Sequence, residues 1–142
     1  MAKQNYKNHI RLMPSYHFAT FIALLALVIG SFINLSNSSE DNLYSASLIC
    51  LISLILVSIF FHARIFGLKA QDRAIRAEEN FRHFILTNRT LDSRLTMSQM
   101  ISLRFASDEE FPTLAQKAAD QKMSGKDIKK AIKNWRGDYY RV

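Results

Sequence analysis

Residues able to carry acid–base, nucleophilic or metal chemistry are few in this chain, and their spacing matches no known site. The four histidines, His9, His17, His62 and His83, lack the HExxH, HxH or His–carboxylate spacing that holds a metal ion. No GxSxG, GxGxxG or GxxxxGK[ST] motif occurs. The acids at 108–110 are typical of a helix N-terminus, where carboxylates face the positive end of the dipole. The sequence therefore predicts a protein that is not an enzyme, with no catalytic residues, no metal ligands and no cofactor.

A basic stretch near the C-terminus is the most distinctive group of polar side chains. It contains Lys126, Lys129, Lys130, Lys133, Trp135 and Arg136. Such residues form a solvated helix face, or they contact anionic lipid headgroups, where each basic side chain contributes about 1 kcal/mol. They also suit RNA, for instance ribosomal RNA, through phosphate contacts and stacked rings. An acidic protein partner is a fourth interpretation, and the sequence leaves all four open.

Two apolar segments must position these groups. Residues 18–35 and 43–63 contain no Asp, Glu, Lys or Arg, and the polar turn 36–42 separates them. Because a helix rises about 1.5 Å per residue, roughly twenty residues cross a hydrocarbon core of about 30 Å. A cleaved signal peptide fits the first segment less well, since no small-x-small cleavage site follows it. The sequence predicts a two-helix transmembrane hairpin.

The basic residues around the two apolar segments predict their orientation. Lys and Arg precede the first segment and follow the second, whereas the turn carries Glu40 and Asp41 and no base. Positive residues flank the cytoplasmic ends of membrane spans. We therefore expect a multi-pass membrane protein with both termini in the cytoplasm and the turn outside.

The predicted fold class is an all-α membrane protein with a cytoplasmic helical tail, in which the second span extends as a long helix. Its expected segments are a cytoplasmic or interfacial N-terminal segment (1–17), transmembrane helix 1 (18–35), an external turn (36–42), transmembrane helix 2 (43–63) and a cytoplasmic helical domain (64–142).

Short helices are expected to fold against the long helix within the tail. Capping signals at Thr96, Ser107 and Ser124 predict three helix starts after residue 90. The apolar face of the long helix needs a cover, and we expect these short helices to supply it. That face consists of Ala74, Ala77, Phe81, Phe84 and Ile85.

Small residues at helical spacing predict where the spans pack. Such residues let helix backbones approach closely in lipid, where burial of apolar surface does not drive helices to associate. These stripes serve either the hairpin contact itself or docking to a partner in the membrane. They comprise Ala19, Ala23, Ala26, Gly30 and Asn34 on the first span and Ala46, Cys50 and Ser53 on the second.

Three stretches resemble an uncharacterised bacterial family of small two-span membrane proteins, a domain of unknown function. They are KQNYKNH at 3–9, LRFASDEEFP at 103–112 and DIKKAIKNW at 127–135. The resemblance implies the hairpin architecture and a location in the bacterial cytoplasmic (inner) membrane, and it brings no activity with it. We hypothesise that the N-terminal motif and the 103–112 segment dock onto each other or onto one shared partner. Tyr6, His9, Tyr16 and His17 are the candidate partner-docking residues.

These observations favour a non-enzymatic accessory or scaffolding subunit of a larger membrane complex. One alternative is a membrane tether that recruits ribosomes or other RNA-bearing machinery through the basic C-terminal helix. Another is a homo-oligomeric structural membrane protein. The expected partners are the lipid bilayer and either an integral membrane protein or further copies of the chain. Anionic lipid and ribosomal RNA are further candidates.

Overall fold

A computed structural model describes residues 4–9 and 12–139, and these residues are predominantly helical. Two short turns, a π-helical Ser15–Thr20 and a 3-10 turn Glu40–Asn42, precede the first and second α-helices. Within the described ranges no strand forms, and one antiparallel bridge joins Ala106 to Trp135. The predicted all-α class is confirmed. The helices are α1 (Phe21–Ser36), α2 (Leu43–Thr87), α3 (Met97–Leu103), α4 (Phe111–Asp120) and α5 (Gly125–Ala131).

The described residues divide into two compact units. The helical-pair unit contains residues 12–67, and the tail unit combines residues 4–9 with residues 68–139. Two helical stretches, Ser15–Ser36 and Glu40–Thr87, each contain a segment long and apolar enough to cross a membrane.

A polar contact and a ring stack join the two helices of the helical-pair unit. Ser31 and Ser53 are 3% and 0% exposed, and their hydroxyl oxygens lie 3.1 Å apart. Toward the other end, the Tyr16 hydroxyl donates a hydrogen bond to the Phe60 carbonyl at 2.7 Å, and the two rings stack at 4.4 Å. Each hydroxyl also lies within hydrogen-bond distance of a carbonyl of its own helix, so one serine can donate to the other while the second donates to its carbonyl, and the buried pair is satisfied.

The predicted packing stripe is corrected on α1. Its small residues are exposed, and no atom outside the helix lies within 4 Å of a Cβ built on Gly30. The side that packs instead carries Leu24, Val28 and Ser31, because the Ser31 hydroxyl finds a partner in Ser53 there. Hairpin packing through the α1 stripe is therefore wrong, and docking of a partner to it stays a prediction. The exposed residues are Ala19, Ala23, Ala26, Gly30 and Asn34; on α2, by contrast, Ala46, Cys50 and Ser53 are buried.

The tail unit has a single apolar core. Phe105 and Phe111 are its largest fully buried side chains. Met97, Met123, Ala131 and Trp135 pack around it with partial burial. The core consists of Leu91, Leu95, Met100, Leu103, Phe105, Ala106, Phe111, Leu114, Ala115, Ala118, Ala119, Ile128 and Ile132.

Two of the three predicted helix starts are confirmed. Thr96 forms a full capping box with Gln99, and the Ser124 hydroxyl accepts a hydrogen bond from the Asp127 amide at 3.2 Å. The start predicted at Ser107 is displaced, since α4 begins at Phe111 without a side-chain cap. The Glu110 carboxylate accepts instead from the amides of residues 133 and 134, at 3.2 and 2.9 Å. Glu110, which the sequence assigns to a helix start, therefore binds the backbone of the C-terminal segment instead.

The face of α2 that packs in the tail unit also differs from the prediction. Ile75 and Glu79 are buried there, whereas Phe81 and Ile85 are each 66% exposed. The more polar side of the helix is used because the chain packed on it needs hydrogen bonds. Arg82, for example, donates to the Ala106 carbonyl at 2.7 Å.

Gly125 provides a sharp test of the contact between α3 and α5. A Cβ on Gly125 would lie 2.7 Å from the Ser102 hydroxyl oxygen and 3.0 Å from the Ser98 carbonyl oxygen. We expect Gly125→Ala to lower the free energy of unfolding of the tail unit by about 1–3 kcal/mol, as overpacked sites do. Denaturant unfolding in detergent, followed by the fluorescence of the single Trp135, measures the change.

Gly67→Ala is the matched control, because nothing lies within 4 Å of a Cβ there. Alanine favours a helix interior, so this control should leave stability unchanged or slightly raised. Equal stability of both alanine variants would contradict the tight contact between α3 and α5.

Candidate functional site

The N-terminal segment packs against the rest of the tail unit, and the Gln4 side chain hydrogen-bonds the backbone there. The Gln4 side-chain amide donates to the Asp138 carbonyl at 3.1 Å, and its oxygen accepts from the Asp138 amide at 2.8 Å. A primary amide carries one donor group and one acceptor, so it satisfies both backbone groups of a single residue. This pair joins residues 134 positions apart.

His9 occupies the centre of the same docking surface. Its ring lies 5.8 Å from both the Phe105 and Trp135 rings, between centroids. Its Nδ1 is 2.8 Å from the Tyr6 carbonyl and its Nε2 is 3.2 Å from the Lys129 ammonium. The carbonyl only accepts and the ammonium only donates, so the neutral ring carries its proton on Nδ1. We call this cluster of His9, Phe105, Lys129 and Trp135 the clasp.

The clasp realises part of the docking hypothesis. The structure brings the N-terminal motif, at His9, against the 103–112 segment, at Phe105. Lys3 of that motif lies outside the described residues. Tyr6 belongs to the same docked segment, with its ring 6.0 Å from that of His9. Docking of a separate partner onto Tyr6 and His9 stays a prediction.

The other two candidate docking residues lie in the helical-pair unit. Tyr16 stacks on Phe60, as described above. The His17 Nδ1 lies 3.0 Å from the Met13 carbonyl. Both side chains are half-buried, and both contacts are internal to that unit.

A buried arginine joins the clasp to the end of the described chain. Arg104 is 8% exposed, and its guanidinium lies 3.1 Å from the Asp138 carboxylate. The same guanidinium lies over the Phe105 ring, 4.8 Å from the centroid. A buried cation needs such compensation, because an uncompensated charge in an apolar interior is expensive. Asp138 thus connects to Gln4 through its backbone and to Arg104 through its side chain.

A second charged network connects α2 to the chain before α4. Arg82 donates to the Glu79 carboxylate at 3.0 Å and, through Nε, to Asp108 at 2.7 Å. Arg82 also donates to the Ala106 carbonyl, so its guanidinium bonds three different residues. The guanidinium carbon lies 4.4 Å from the centroid of the Phe111 ring. The Arg82 and Glu79 side chains are only 11% and 9% exposed. This network is structural in character, since its polar groups are directed at one another and at a backbone carbonyl.

An open cavity of about 360 Å³ lies beside these networks in the tail unit. Its lining combines the carboxylate residues Glu78, Glu79 and Asp138 with the guanidinium residues Arg104 and Arg136. Charges of both signs therefore line the cavity, and it presents no field of a single sign. No serine, threonine, cysteine or histidine belongs to its described lining. Among the described residues, likewise, no group of three or more His, Cys, Asp or Glu side chains could hold a metal ion.

Burial of Glu79 predicts a pH dependence. Desolvation raises the pKa of Glu79 above its ordinary value, against the opposing charge and hydrogen bond of Arg82. A raised folded-state pKa contributes stability that is present below the unfolded-state pKa and is lost as pH rises through the folded one. We expect the wild type to lose stability relative to Glu79→Gln as pH rises from the unfolded-state pKa of Glu79 through its higher folded-state pKa. Unfolding of both proteins at a series of pH values measures the difference.

Titration of all other groups is shared by the two proteins and cancels in this comparison. A difference that stays flat, or that grows in favour of the wild type with rising pH, would contradict the assignment to Glu79.

The structure separates the six predicted basic and aromatic residues into two groups. Lys126, Lys130, Lys133 and Arg136 are exposed. Lys129 and Trp135 are half-buried and take part in the clasp. Trp135, the predicted stacking ring, therefore already packs against Phe105 at 5.2 Å.

The sequence gives little signal for several residues that build this region. By helical spacing Arg82 and Glu79 belong to a polar, solvated face, and no recognisable motif surrounds Asp138. Gln4 lies within the N-terminal motif, which is the one signal for it.

Comparison with family models places the whole chain. A model described as a family of unknown function, DUF6526, matches residues 1–142. The chain belongs to this family. Comparison of this DUF6526 member with curated proteins and with solved structures found no match. The resemblance to an uncharacterised family is therefore confirmed, and the family brings no activity to transfer.

Proposed function

We propose that this DUF6526 member is a non-enzymatic integral protein of the bacterial inner membrane that acts as an accessory or scaffolding subunit of a larger membrane complex. In this proposal both chain termini face the cytoplasm and residues 36–42 face outward. The tail unit makes the specific cytoplasmic contacts, and the helical pair anchors it.

One observation carries the membrane part of the proposal. Within the most apolar 18 residues of each long helical stretch, only 6% are buried in Ser15–Ser36 and 17% in Glu40–Thr87. The core helix of a soluble protein has the same composition but is mostly covered. Exposed apolar surface on this scale is stable where lipid covers it. The contacts of Ser31 with Ser53 and of Tyr16 with Phe60 favour retention of the first helix over its removal as a signal sequence.

Two observations support an accessory role. The α1 stripe of small residues is exposed, so it is available to a neighbouring helix in the membrane. The sequence contains no nucleophile–base motif. The competing role as an RNA tether loses its stacking ring, because Trp135 is engaged in the clasp, although the exposed lysines would still attract phosphate.

Cysteine labelling tests the topology. In a Cys50→Ala background, Ser39→Cys should react with a membrane-impermeant maleimide in intact cells. Lys130→Cys should react only after the cells are permeabilised. Labelling in the reverse pattern, or recovery of the chain in the soluble fraction without detergent, would overturn the membrane proposal.

Purification in mild detergent tests the accessory role. We expect an integral membrane protein to co-purify in a fixed ratio and to stay bound at high salt. Ala23→Phe, on the exposed stripe, should release it. Leu25→Phe, at an exposed apolar position away from the stripe, is the matched control. Purification of the chain alone, or loss of bound RNA with rising salt as the main effect, would overturn this role.

A further inference from the structure

An apolar face of α2 remains uncovered within the tail unit. Phe81, Phe84 and Ile85 on this face are 66%, 47% and 66% exposed. The core of the tail unit packs on the opposite side of the helix, where Ile75 and Glu79 are buried. Large apolar side chains exposed together mark an interaction surface. We propose that this face binds the same face of a second copy of the chain, forming a parallel two-stranded coiled coil.

The spacing of the exposed residues matches that partner. Apolar residues recur along this face at alternating intervals of four and three residues, and every one of them is exposed. This alternation is the a/d pattern of a coiled coil, which keeps one seam facing the partner helix. The alanines permit close approach of the backbones, and the phenylalanines supply most of the buried area. The seam consists of Ala70, Ala74, Ala77, Phe81 and Phe84.

The charges that flank the seam are complementary between copies. Arg73 occupies a g position and Glu78 the e position of the next heptad. In a parallel coiled coil these two positions meet across the interface, so Arg73 faces Glu78 of the second copy. Two-fold symmetry forms the pair twice. Within the described part of the chain, neither side chain takes part in an ion pair.

This pairing favours a second copy over a lipid surface or an unrelated helix. A lipid headgroup layer gives no role to Glu78, and an unrelated helix has no reason to present the matching heptad. The inference goes beyond the accessory role and does not depend on the membrane assignment, because the seam lies entirely within residues 70–84.

Oxidative cross-linking of the full-length chain tests the seam. In the Cys50→Ala background, Ala77→Cys places a thiol on the seam, and Arg76→Cys places one on an exposed neighbouring position. With copper phenanthroline as oxidant, we expect at least about tenfold more disulfide dimer from Ala77→Cys, because only seam positions bring the two thiols within bonding distance. Trp135 fluorescence establishes that both variants are folded.

Charge reversal tests the register. In the Ala77→Cys protein, Arg73→Glu should reduce the dimer yield about tenfold, because like charges then face each other twice. Adding Glu78→Lys should restore the yield, since the swapped charges attract again. Failure of the double reversal to restore the dimer would overturn the proposed pairing.

Two further results would overturn the proposal. One is equal cross-linking, or none, at positions 76 and 77 in folded protein. The other is quenching of a fluorophore on the Ala77→Cys variant by brominated lipid in vesicles without dimer formation, which would place this face on the bilayer. Either result leaves the membrane topology of the chain untouched, so failure of this inference is distinguishable from failure of the proposed function.

Discussion

Replacing Phe105 with alanine should remove about 3–5 kcal/mol from the free energy of unfolding of the tail unit, the typical cost of a buried Phe→Ala change. Phe105 is 0% exposed and contacts the rings of His9 and Trp135 and the guanidinium of Arg104. The substitution therefore leaves a cavity in the core and also removes the surface onto which the N-terminal segment docks. Domains of ordinary stability have about 5–15 kcal/mol in total. The substitution should therefore remove a large share of the stability of the tail unit.

Denaturant titration in detergent, with Trp135 fluorescence and circular dichroism as probes, measures this loss. Phe66→Ala is the matched control, because Phe66 is 62% exposed and belongs to the helical-pair unit. The control should change tail-unit stability by less than about 0.5 kcal/mol, as exposed substitutions do. A loss below about 1 kcal/mol for Phe105→Ala would contradict its place at the centre of the core.

Replacing Arg82 with alanine should have an effect of similar size for an electrostatic reason. The substitution removes the partner of a Glu79 side chain that is 9% exposed, together with the bonds to Asp108 and the Ala106 carbonyl. Breaking a buried ion pair by removing one partner typically costs about 3–5 kcal/mol, because the remaining charge is left buried.

A double variant separates the effect of the buried Glu79 charge from the effect of losing the Arg82 side chain itself. Arg82→Ala combined with Glu79→Gln should recover part of the lost stability, since a neutral amide is less costly to bury than a carboxylate. Arg76→Ala, at an exposed position of the same helix, is the control and should change little. If the double variant were less stable than Arg82→Ala alone, the explanation through buried charge would be wrong.

Local patterns in the sequence predict the helices and two of their starts. Thr96 and Ser124 cap their helices through residues only three positions away, so a short window contains all the interacting atoms. The displaced start at α4 shows where this reasoning fails. Glu110 has a partner in the backbone of residues 133 and 134, and no window around Ser107 includes it.

The choice of packing face is where the sequence is least informative. Two faces of α1 are candidates for packing, the stripe of small residues and the side that carries Ser31. The second face packs, and its Ser31 hydroxyl contacts that of Ser53. In the tail, Phe81 and Ile85 look like core residues by periodicity, yet the polar side of α2 supplies the hydrogen bonds that the packed chain needs. Periodicity identifies an apolar face without identifying its occupant, which here can be another molecule.

The contact between Gln4 and Asp138 constrains the order in which this chain can mature. The segment that contains Gln4 is translated 134 positions before Asp138, and it must remain accessible until residues 105, 135 and 138 have been translated and have folded. Closure of the two chain regions is therefore a late event in biosynthesis, and a bulky fusion placed directly before Gln4 would hinder it.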